Sequence, residues 1–274
     1  MLSFAKRRLI NCTITVVLIA LVCFWVDRRS AELDGSSFQT GYLLLGFVGF
    51  LASYNWRKKL PSLPLGSSSL WLQTHIYCGI GAIAVFLLHT GLRFPNGIFE
   101  TTLYFSFVSV AASGFYGLKV TRSVPKRLTK LREQVVWERI PARRYAVGRQ
   151  AHGLILELVE IEPAPTIVDF YKHRLVPFFE RRRSPWYYAY PTSRLRNKIM
   201  AEMTALERYY SSSESAADGR LRRLVDQRDD LDYHDALQRK LKFWLFVHIG
   251  LTYGLVALAL FHAVLAHAFH GAAS

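Results

Sequence analysis

The chain has 274 residues, of which 51% are hydrophobic and 14% aromatic, and it carries 35 Lys and Arg against 20 Asp and Glu. This composition excludes a disordered chain, which would lack apolar residues, and it excludes a chain buried in lipid throughout, which would lack charge. A disulfide scaffold is also excluded, because Cys12, Cys23 and Cys78 lie in apolar stretches at spacings that suit neither disulfide bonds nor a zinc site.

Five apolar segments predict membrane spans, since a bilayer needs about 20 apolar residues of helix. The first could also be a secretory signal, but no small-residue cleavage site follows it before Asp27, so we interpret it as a retained anchor. The sequence therefore predicts an all-α membrane protein with a five-span helical bundle. Its predicted parts are spans one to four (1–118), an insertion (119–242), and the fifth span with an outer tail (243–274). The apolar segments themselves are 9–26, 41–56, 70–92, 101–118 and 243–268.

Positive charge predicts the orientation of these spans. Residues 119–242 hold 26 Lys and Arg with 16 Asp and Glu, whereas the opposite side holds only Arg28, Arg29 and Arg93. The positive-inside rule then places the N-terminus and the insertion in the cytoplasm and the C-terminus outside an inner (cytoplasmic) membrane. A nucleic-acid-binding surface would also explain the charge, but the bias follows the topology and is accompanied by acids. We therefore expect membrane lipid as a partner and no nucleic acid.

Four histidines in two predicted spans share one spacing. His75 and His89 lie in the third span and His248 and His262 in the fifth, each pair 14 residues apart. Fourteen residues make almost four helical turns and rise about 21 Å, so each helix presents two imidazoles on one face. Because the third and fifth spans run in the same direction, His75 is expected to face His248, and His89 to face His262.

Two stacked bis-histidine b-type haems require neutral imidazoles on opposite sides of each iron, supplied by facing helices of a bundle. The sequence therefore predicts two non-covalent b-type haems with His75, His89, His248 and His262 as metal ligands. No Cys-x-x-Cys-His motif is present, which excludes c-type attachment. The histidines could instead form interhelical hydrogen bonds or a proton relay, but a relay needs no repeated spacing.

Further cofactor-binding candidates follow from the chemistry of haem. Propionates are anions, so Arg93 is the first candidate on the outer side and Lys240 and Lys242 are candidates on the inner side. Gly79 lies on the face of His75, where a small residue leaves room for a flat macrocycle. His267 and His270 lie beyond the four histidines, as interface residues or as a docking or proton site. No residue pattern indicates a catalytic group.

The insertion is less informative. A run of apolar and β-branched residues at 154–161 suggests strand structure, and a helix is expected from a cap at Thr166 to Phe179. Residues 211–219 have the composition of a loose linker, and 220–242 predict a charged helix leading into the last span. We therefore predict a small mixed α/β or irregular cytoplasmic insertion between spans four and five.

In its histidine pattern the chain resembles the di-haem b-type transmembrane cytochromes, especially the ferric-reductase and NADPH-oxidase transmembrane domain. There too, histidine pairs at this spacing occupy the third and fifth spans, and the matching residues are His75, His89, His248 and His262. The resemblance is confined to the membrane segments. That family normally has a sixth span and a flavin and NADPH module, whereas this sequence has a large insertion instead. The resemblance implies electron passage across the membrane.

The predicted function is that of a di-haem b-type cytochrome subunit that carries electrons between an inner-side or quinone partner and an outer-side redox partner. Because flavin, iron–sulfur and c-haem motifs are absent, we expect an electron-transfer subunit of an oxidoreductase complex rather than a stand-alone enzyme. Candidate partners are a c-type cytochrome, an iron–sulfur protein and a quinone. The alternative is a non-redox membrane scaffold or transporter whose histidines bind protons or metal.

Overall fold

The computed structural model describes residues 4–30, 36–59, 67–129, 135–161 and 163–270. Every regular element in these ranges is a helix, which confirms the all-α prediction. Short 3₁₀ segments precede α5 and follow α9, and a π-helical turn at Tyr171–Leu175 joins α6 to α7. The α-helices are α1 (Phe4–Ser30), α2 (Ser36–Lys59), α3 (Ser68–Thr90), α4 (Ile98–Leu128), α5 (Ile140–Ile161), α6 (Pro165–Phe170), α7 (Val176–Glu180), α8 (Pro185–Ala189), α9 (Arg194–Leu206) and α10 (Ser212–His270).

Three of these helices, α3, α4 and α10, contain stretches long and apolar enough to cross a membrane. A shorter apolar stretch, Cys12–Phe24, lies in α1. Large apolar side chains on these helices, such as Phe105, Phe115 and Leu260, expose more than half of their surface, as expected where lipid replaces water. The chain therefore carries the helices of a membrane protein. The prediction of five membrane spans, which would include α1 and α2, stays a prediction.

The chain divides into two compact units. The membrane unit comprises residues 1–117 and 245–274, and the insertion unit comprises 118–244. Within the membrane unit, α3 packs against both α1 and α2. The buried core of this unit is small, and the rings of Phe86 and Phe107 stack at its centre with their centroids 4.1 Å apart. The other buried members of this core are Val48, Ala82 and Leu255.

The prediction of a mixed α/β or irregular insertion is wrong, because the described residues of the insertion unit form helices and no strand. The run at 154–161 belongs to α5. Its buried residues are spaced by three, four or seven positions, apart from the adjacent Leu154 and Ile155, and form one helical stripe, which packs into the core of the unit. Short apolar runs fit either structure by composition, and here the longer period decides. The buried stripe consists of Ile140, Val147, Ala151, Leu154, Ile155 and Leu158.

The expected linker at 211–219 is also wrong, because it forms the start of α10. The Ser211 hydroxyl accepts the Glu214 backbone N–H (3.3 Å), and the Glu214 carboxylate accepts the Ser211 backbone N–H (3.0 Å). This reciprocal arrangement is a capping box, which satisfies two backbone donors at a helix start. The serine-rich composition resembles a linker, but the spacing of serine and glutamate specifies a helix.

The helix expected from Thr166 begins at Pro165, and Ala164 occupies the cap position without a side-chain hydrogen bond. The Ile167 backbone N–H in its first turn donates instead to the second carboxylate oxygen of Glu214, at 3.2 Å. Glu214 is buried, so this one carboxylate both caps α10 and joins it to α6. Thr166 is therefore not the cap of this helix.

A buried ionic cluster holds α10 to the rest of the insertion unit. Asp232 accepts from Arg144 of α5 (2.6 Å), from Arg183 (2.7 Å) and from Arg228. Arg183 also pairs with Asp229 at 3.1 Å. Burial lowers the pKa of Arg228 and raises the pKa of Asp229, so the charged forms depend on their partners. Asp232 is the carboxylate that the three arginines share.

Replacing Asp232 by Asn should destabilise the protein strongly. Removing one partner of a buried ion pair leaves uncompensated charge and costs about 3–5 kcal/mol. Asp226→Asn on the same helix breaks the more exposed pair with Arg196 (2.6 Å) and should cost about 1 kcal/mol or less. Denaturant unfolding of the full chain in detergent, followed by circular dichroism, measures both losses. Equal losses in the two variants would contradict the assignment of Asp232 as the centre of the cluster.

Candidate functional site: two facing histidine pairs

The membrane unit brings the four predicted histidines together as two pairs. The ring centroids of His75 and His248 are 6.4 Å apart with an interplanar angle of 76°, and those of His89 and His262 are 6.5 Å apart with an angle of 84°. All four side chains are partly buried. In each pair one ring comes from α3 and the other from α10. The helical period predicts that His75 faces His248 and that His89 faces His262, and these rings are paired in the structure.

Around the first pair, a hydroxyl group forms a hydrogen bond with a ring nitrogen of His248. The Ser113 hydroxyl of α4 donates to the Val110 carbonyl at 2.7 Å and lies 2.7 Å from His248 Nδ1. With its one proton donated to Val110, the Ser113 oxygen can accept an Nδ1–H from His248. The lone pair of the neutral imidazole is then on Nε2. On the other side of the pair, the Tyr54 ring packs 5.1 Å from the His75 ring.

Around the second pair, α2 approaches His89 closely. Thr40 is 2% exposed, and its hydroxyl oxygen lies 3.1 Å from His89 Nδ1. The next residue is Gly41, where a Cβ atom would lie 3.1 Å from His89 Cε1. Since few real Cβ contacts are this short, glycine is what allows α2 to pass the imidazole at this distance. The Phe99 ring stacks on His262 with centroids 6.1 Å apart.

The end of α3 follows directly after His89. Gly91 adopts a left-handed conformation (φ 58°), and its N–H bonds to Leu88 at 3.2 Å. The N–H of Leu92 bonds back to Leu87 at 3.3 Å, which completes a glycine-type helix ending. His89 thus lies in the last turn of a helix whose end is fixed by backbone hydrogen bonds, so its position along the helix axis is well defined.

A cavity of about 360 Å³ adjoins the second pair. His89 and His262 line it from α3 and α10, and residues of α2 and α4 line it in between. Aromatic and aliphatic side chains supply most of the lining, and Arg93, the predicted propionate partner, is among the polar residues. His267 lies on the same cavity, where Nε2 bonds to the Tyr42 hydroxyl and the ring stacks on Phe38 at 5.8 Å. The volume is within the range of sites for small ligands and cofactors.

Apolar side chains fill the space between the levels of the two pairs. Ala82, Val85 and Phe86 of α3 lie between His75 and His89 in sequence and are buried. Leu255 lies between His248 and His262 and is 4% exposed. The residues between the two levels are therefore apolar, and Phe86 and Leu255 also line the cavity.

The remaining candidates have varied surroundings. The Lys242 ammonium lies 3.7 Å from the centroid of Trp137 and 3.4 Å from Glu138, and the Lys240 ammonium lies 3.4 Å from the Ala189 carbonyl. Both lysines therefore contact other residues of the insertion unit. A Cβ atom on Gly79 would meet nothing within 4 Å, so there is open space at this position. The side chain of His270 lies outside the described residues.

Within the described ranges, His, Cys, Asp and Glu side chains form no group of three or more that could hold a metal ion. Each histidine pair therefore offers two imidazole ligands. A structural zinc site needs four protein ligands, and a catalytic one usually three. A haem iron already has four ligands from its macrocycle and needs two axial ones. Two imidazoles from facing helices match the number of axial ligands that a haem iron takes.

Three residues at the site were not predicted from the sequence: Ser113, Thr40 and Gly41. A hydroxyl group inside an apolar helix is a signal, because buried polar groups seek partners. Which imidazole each hydroxyl meets depends on the rotation of α2 and α4 against α3 and α10, which the sequence pattern does not contain. The contact of Gly41 with His89 depends on the same rotation.

Comparison with known proteins gave no match, since no family model, curated protein or solved structure corresponds to this chain.

Proposed function

We propose that the membrane unit is a di-haem b-type cytochrome that carries electrons across the membrane, in which His75 and His248 would hold one haem and His89 and His262 the other. The observation that carries the proposal is the spacing of the rings. An imidazole nitrogen binds a transition metal at about 2 Å and lies about 1.1 Å from its own ring centre, so two imidazoles on opposite sides of one iron have centroids about 6.2 Å apart. The measured spacings are 6.4 and 6.5 Å.

The protonation of His248 supports the same role. Metal-binding histidines usually donate their second ring N–H to an oxygen, which fixes the ring and increases its basicity. Ser113 accepts this proton from Nδ1, so the nitrogen available to a metal is Nε2. The hydroxyl of Thr40 occupies the equivalent position at Nδ1 of His89. Both pairs thus have one ring oriented by a hydroxyl from a neighbouring helix.

The cavity at the second pair has the composition that a haem requires. Apolar rings contact a macrocycle, and a cation compensates its carboxylates. Phe86 and Phe107 supply apolar lining, and Arg93 supplies the cation. At the first pair, Gly79 leaves open space one turn after His75. Arg93 is therefore our proposed propionate partner for one haem, and Gly79 a residue that gives room to the other.

When bound, each haem would supply a one-electron couple between ferric and ferrous iron. The chain holds the two sites 14 residues apart on each helix, which corresponds to about 21 Å along the helix axis. Its apolar residues between the pairs exclude water, and its imidazoles and hydroxyls set the donor strength at each level.

The proposed context is an inner (cytoplasmic) membrane that the chain crosses five times, with the N-terminus and the insertion unit in the cytoplasm and the C-terminus outside. The excess of Lys and Arg in the insertion unit supports this orientation. We propose an electron-transfer subunit of an oxidoreductase complex, with an inner-side donor or a quinone and an outer-side partner such as a c-type cytochrome or an iron–sulfur protein. A proton- or metal-binding transporter is the alternative, and the two ligands of each pair favour haem over a metal-binding transporter.

The reduced-minus-oxidised spectrum of the purified protein should show about two b-type haems per chain. The double substitution His75→Ala with His248→Ala should remove one of them, because both axial ligands of that haem are lost. The double substitution His89→Ala with His262→Ala should remove the other. His173→Ala, at an exposed histidine of the insertion unit, should keep both. Absence of haem from the parent protein would favour the transporter, and loss of both haems or neither from a folded double variant would contradict the pairing.

Ser113→Ala should raise the midpoint potential of the haem held by His75 and His248. Loss of the acceptor for Nδ1–H makes the imidazole a weaker donor, which stabilises ferric iron less. A tenfold change in relative affinity corresponds to about 59 mV, so a rise on the order of tens of mV is expected. Redox titration in the variant that lacks His89 and His262 isolates this haem. Thr102→Ala, whose hydroxyl bonds only within its own helix at 2.8 Å, should leave the potential unchanged. An unaltered potential in Ser113→Ala would contradict the assigned hydrogen bond.

A further inference from the structure

Aromatic rings surround the basic residues of α10 that precede its apolar part. The Arg239 guanidinium lies 5.7 Å from the Trp137 ring and 5.2 Å from the Tyr188 ring. Lys242 lies 3.7 Å from the same Trp137 ring. The Lys240 ammonium lies 5.9 Å from the Tyr190 ring. These distances are those of cation–π contacts. We call this group, Trp137, Tyr188 and Tyr190 with Arg239, Lys240 and Lys242, the aromatic collar.

The aromatic collar lies where α10 changes character. The uncharged apolar stretch of α10 begins at Phe243, the residue after Lys242. The Lys240 ammonium contacts Ala189 and Tyr190, so the end of α8 lies within reach of a side chain three residues before this boundary. Residues beside the first turn of a membrane span lie at the level of the lipid headgroups.

The short helix α8 presents bulky aromatic side chains outward from this position. Trp186 is 78% exposed and Tyr190 73% exposed, and they are four residues apart. The intervening Tyr187 points inward, where burial raises its pKa and Arg183 lies 5.3 Å from its ring. An exposed tryptophan and tyrosine beside a membrane span are typical of the aromatic belt at a bilayer surface.

Positive charge continues from the collar to the turn before α8. Arg181 and Arg182 are exposed there. The turn is fixed from inside, because Arg228 donates to the carbonyls of Phe179 and Arg181, each at 3.3 Å. Arg183 is anchored in the buried ionic cluster. The two exposed arginines are therefore carried on backbone that the interior of the insertion unit holds in place.

We infer that Trp186 and Tyr190, with Arg181 and Arg182, form a membrane-docking face that binds the headgroups of anionic phospholipids. The face adjoins the start of the apolar part of α10, so we infer that it binds the bilayer. Because the face is positively charged, we infer that it binds the anionic lipids of that bilayer. The aromatic side chains would enter the interface and the guanidinium groups would bind phosphate oxygens. This inference depends on α10 crossing the membrane and is independent of the haem ligands.

The test uses the full chain reconstituted in vesicles with Trp186 as the fluorescent probe. The difference in emission between the parent and Trp186→Phe isolates Trp186, because the other tryptophans are common to both. Phosphatidylcholine brominated near the top of its acyl chains quenches rings at the interface, and aqueous iodide quenches rings in water. The matched control is Tyr209→Trp in the Trp186→Phe background. Tyr209 is also exposed and also lies beside an arginine, Arg208, at 4.9 Å.

The control residue is remote from the boundary. Tyr209 precedes the start of α10 at Ser212, about 45 Å along the helix from Phe243. We expect brominated lipid to quench Trp186 and not the tryptophan at 209, and iodide to do the reverse. Quenching of Trp186 by iodide alone would overturn the inference. Protection of Trp186 from both quenchers would overturn it too, because a protein would then cover the face.

The headgroup preference is tested separately. Replacing part of the phosphatidylcholine with phosphatidylglycerol should increase the quenching of Trp186 by brominated lipid, and added salt should reverse the increase. Arg181→Gln with Arg182→Gln should abolish this increase and leave the quenching in pure phosphatidylcholine unchanged. Equal quenching with and without phosphatidylglycerol in the parent protein would overturn the assignment of anionic lipid. Circular dichroism of each variant verifies that the helices are retained.

Discussion

The arrangement of the membrane unit depends on one constraint: a polar group among apolar helices must find its partner inside the protein. Hydrocarbon offers no hydrogen bonds, so each imidazole in α3 or α10 is costly unless another group meets it. Ser113 and Thr40 meet two of the rings at Nδ1, and Gly41 allows α2 to come close enough for one of these contacts. The packing of α2 and α4 around the histidines follows from this requirement.

In the insertion unit, too, buried polar groups have partners inside the protein, and here the partners are charged. Its interior contains arginines and aspartates in contact, with Asp232 shared by guanidinium groups from several parts of the unit. Such a cluster contributes less to stability than an apolar core of equal size would, but it tolerates no missing member. It also orients the backbone before α8 through the bonds from Arg228. The cluster therefore fixes the backbone that carries the exposed side chains before α8.

Part of this structure could be predicted from the sequence and part could not. The pairing of the histidines follows from a spacing and a helical period, both of which are local properties of α3 and α10. The fold of the insertion does not follow in the same way, because the apolar run in α5 fits a strand as well as a helix over so few residues. The start of α10 was readable in principle, since Ser211 and Glu214 have the spacing of a capping box. Their serine-rich surroundings favoured the wrong interpretation.

Contacts between residues far apart in the sequence could not be predicted from the sequence pattern alone. Lys240 and Lys242 are cations near a span and were predicted to bind propionates, a role that stays a prediction. The structure adds aromatic neighbours that come from far away in the sequence, namely Trp137 and Tyr190. No periodicity connects these residues. The hydroxyls at the histidines are a similar case, because their partners lie on other helices.

In the proposed di-haem cytochrome, the angles between the imidazole planes, 76° and 84°, would have a magnetic consequence. Each axial imidazole donates π electron density mainly to the iron d orbital perpendicular to its own plane. With parallel rings one orbital is raised above the other, whereas crossed rings raise both almost equally. For an iron ligated in this way, near-degeneracy of the two orbitals leaves orbital angular momentum unquenched. The ferric form would then show a strongly anisotropic g-tensor at low temperature.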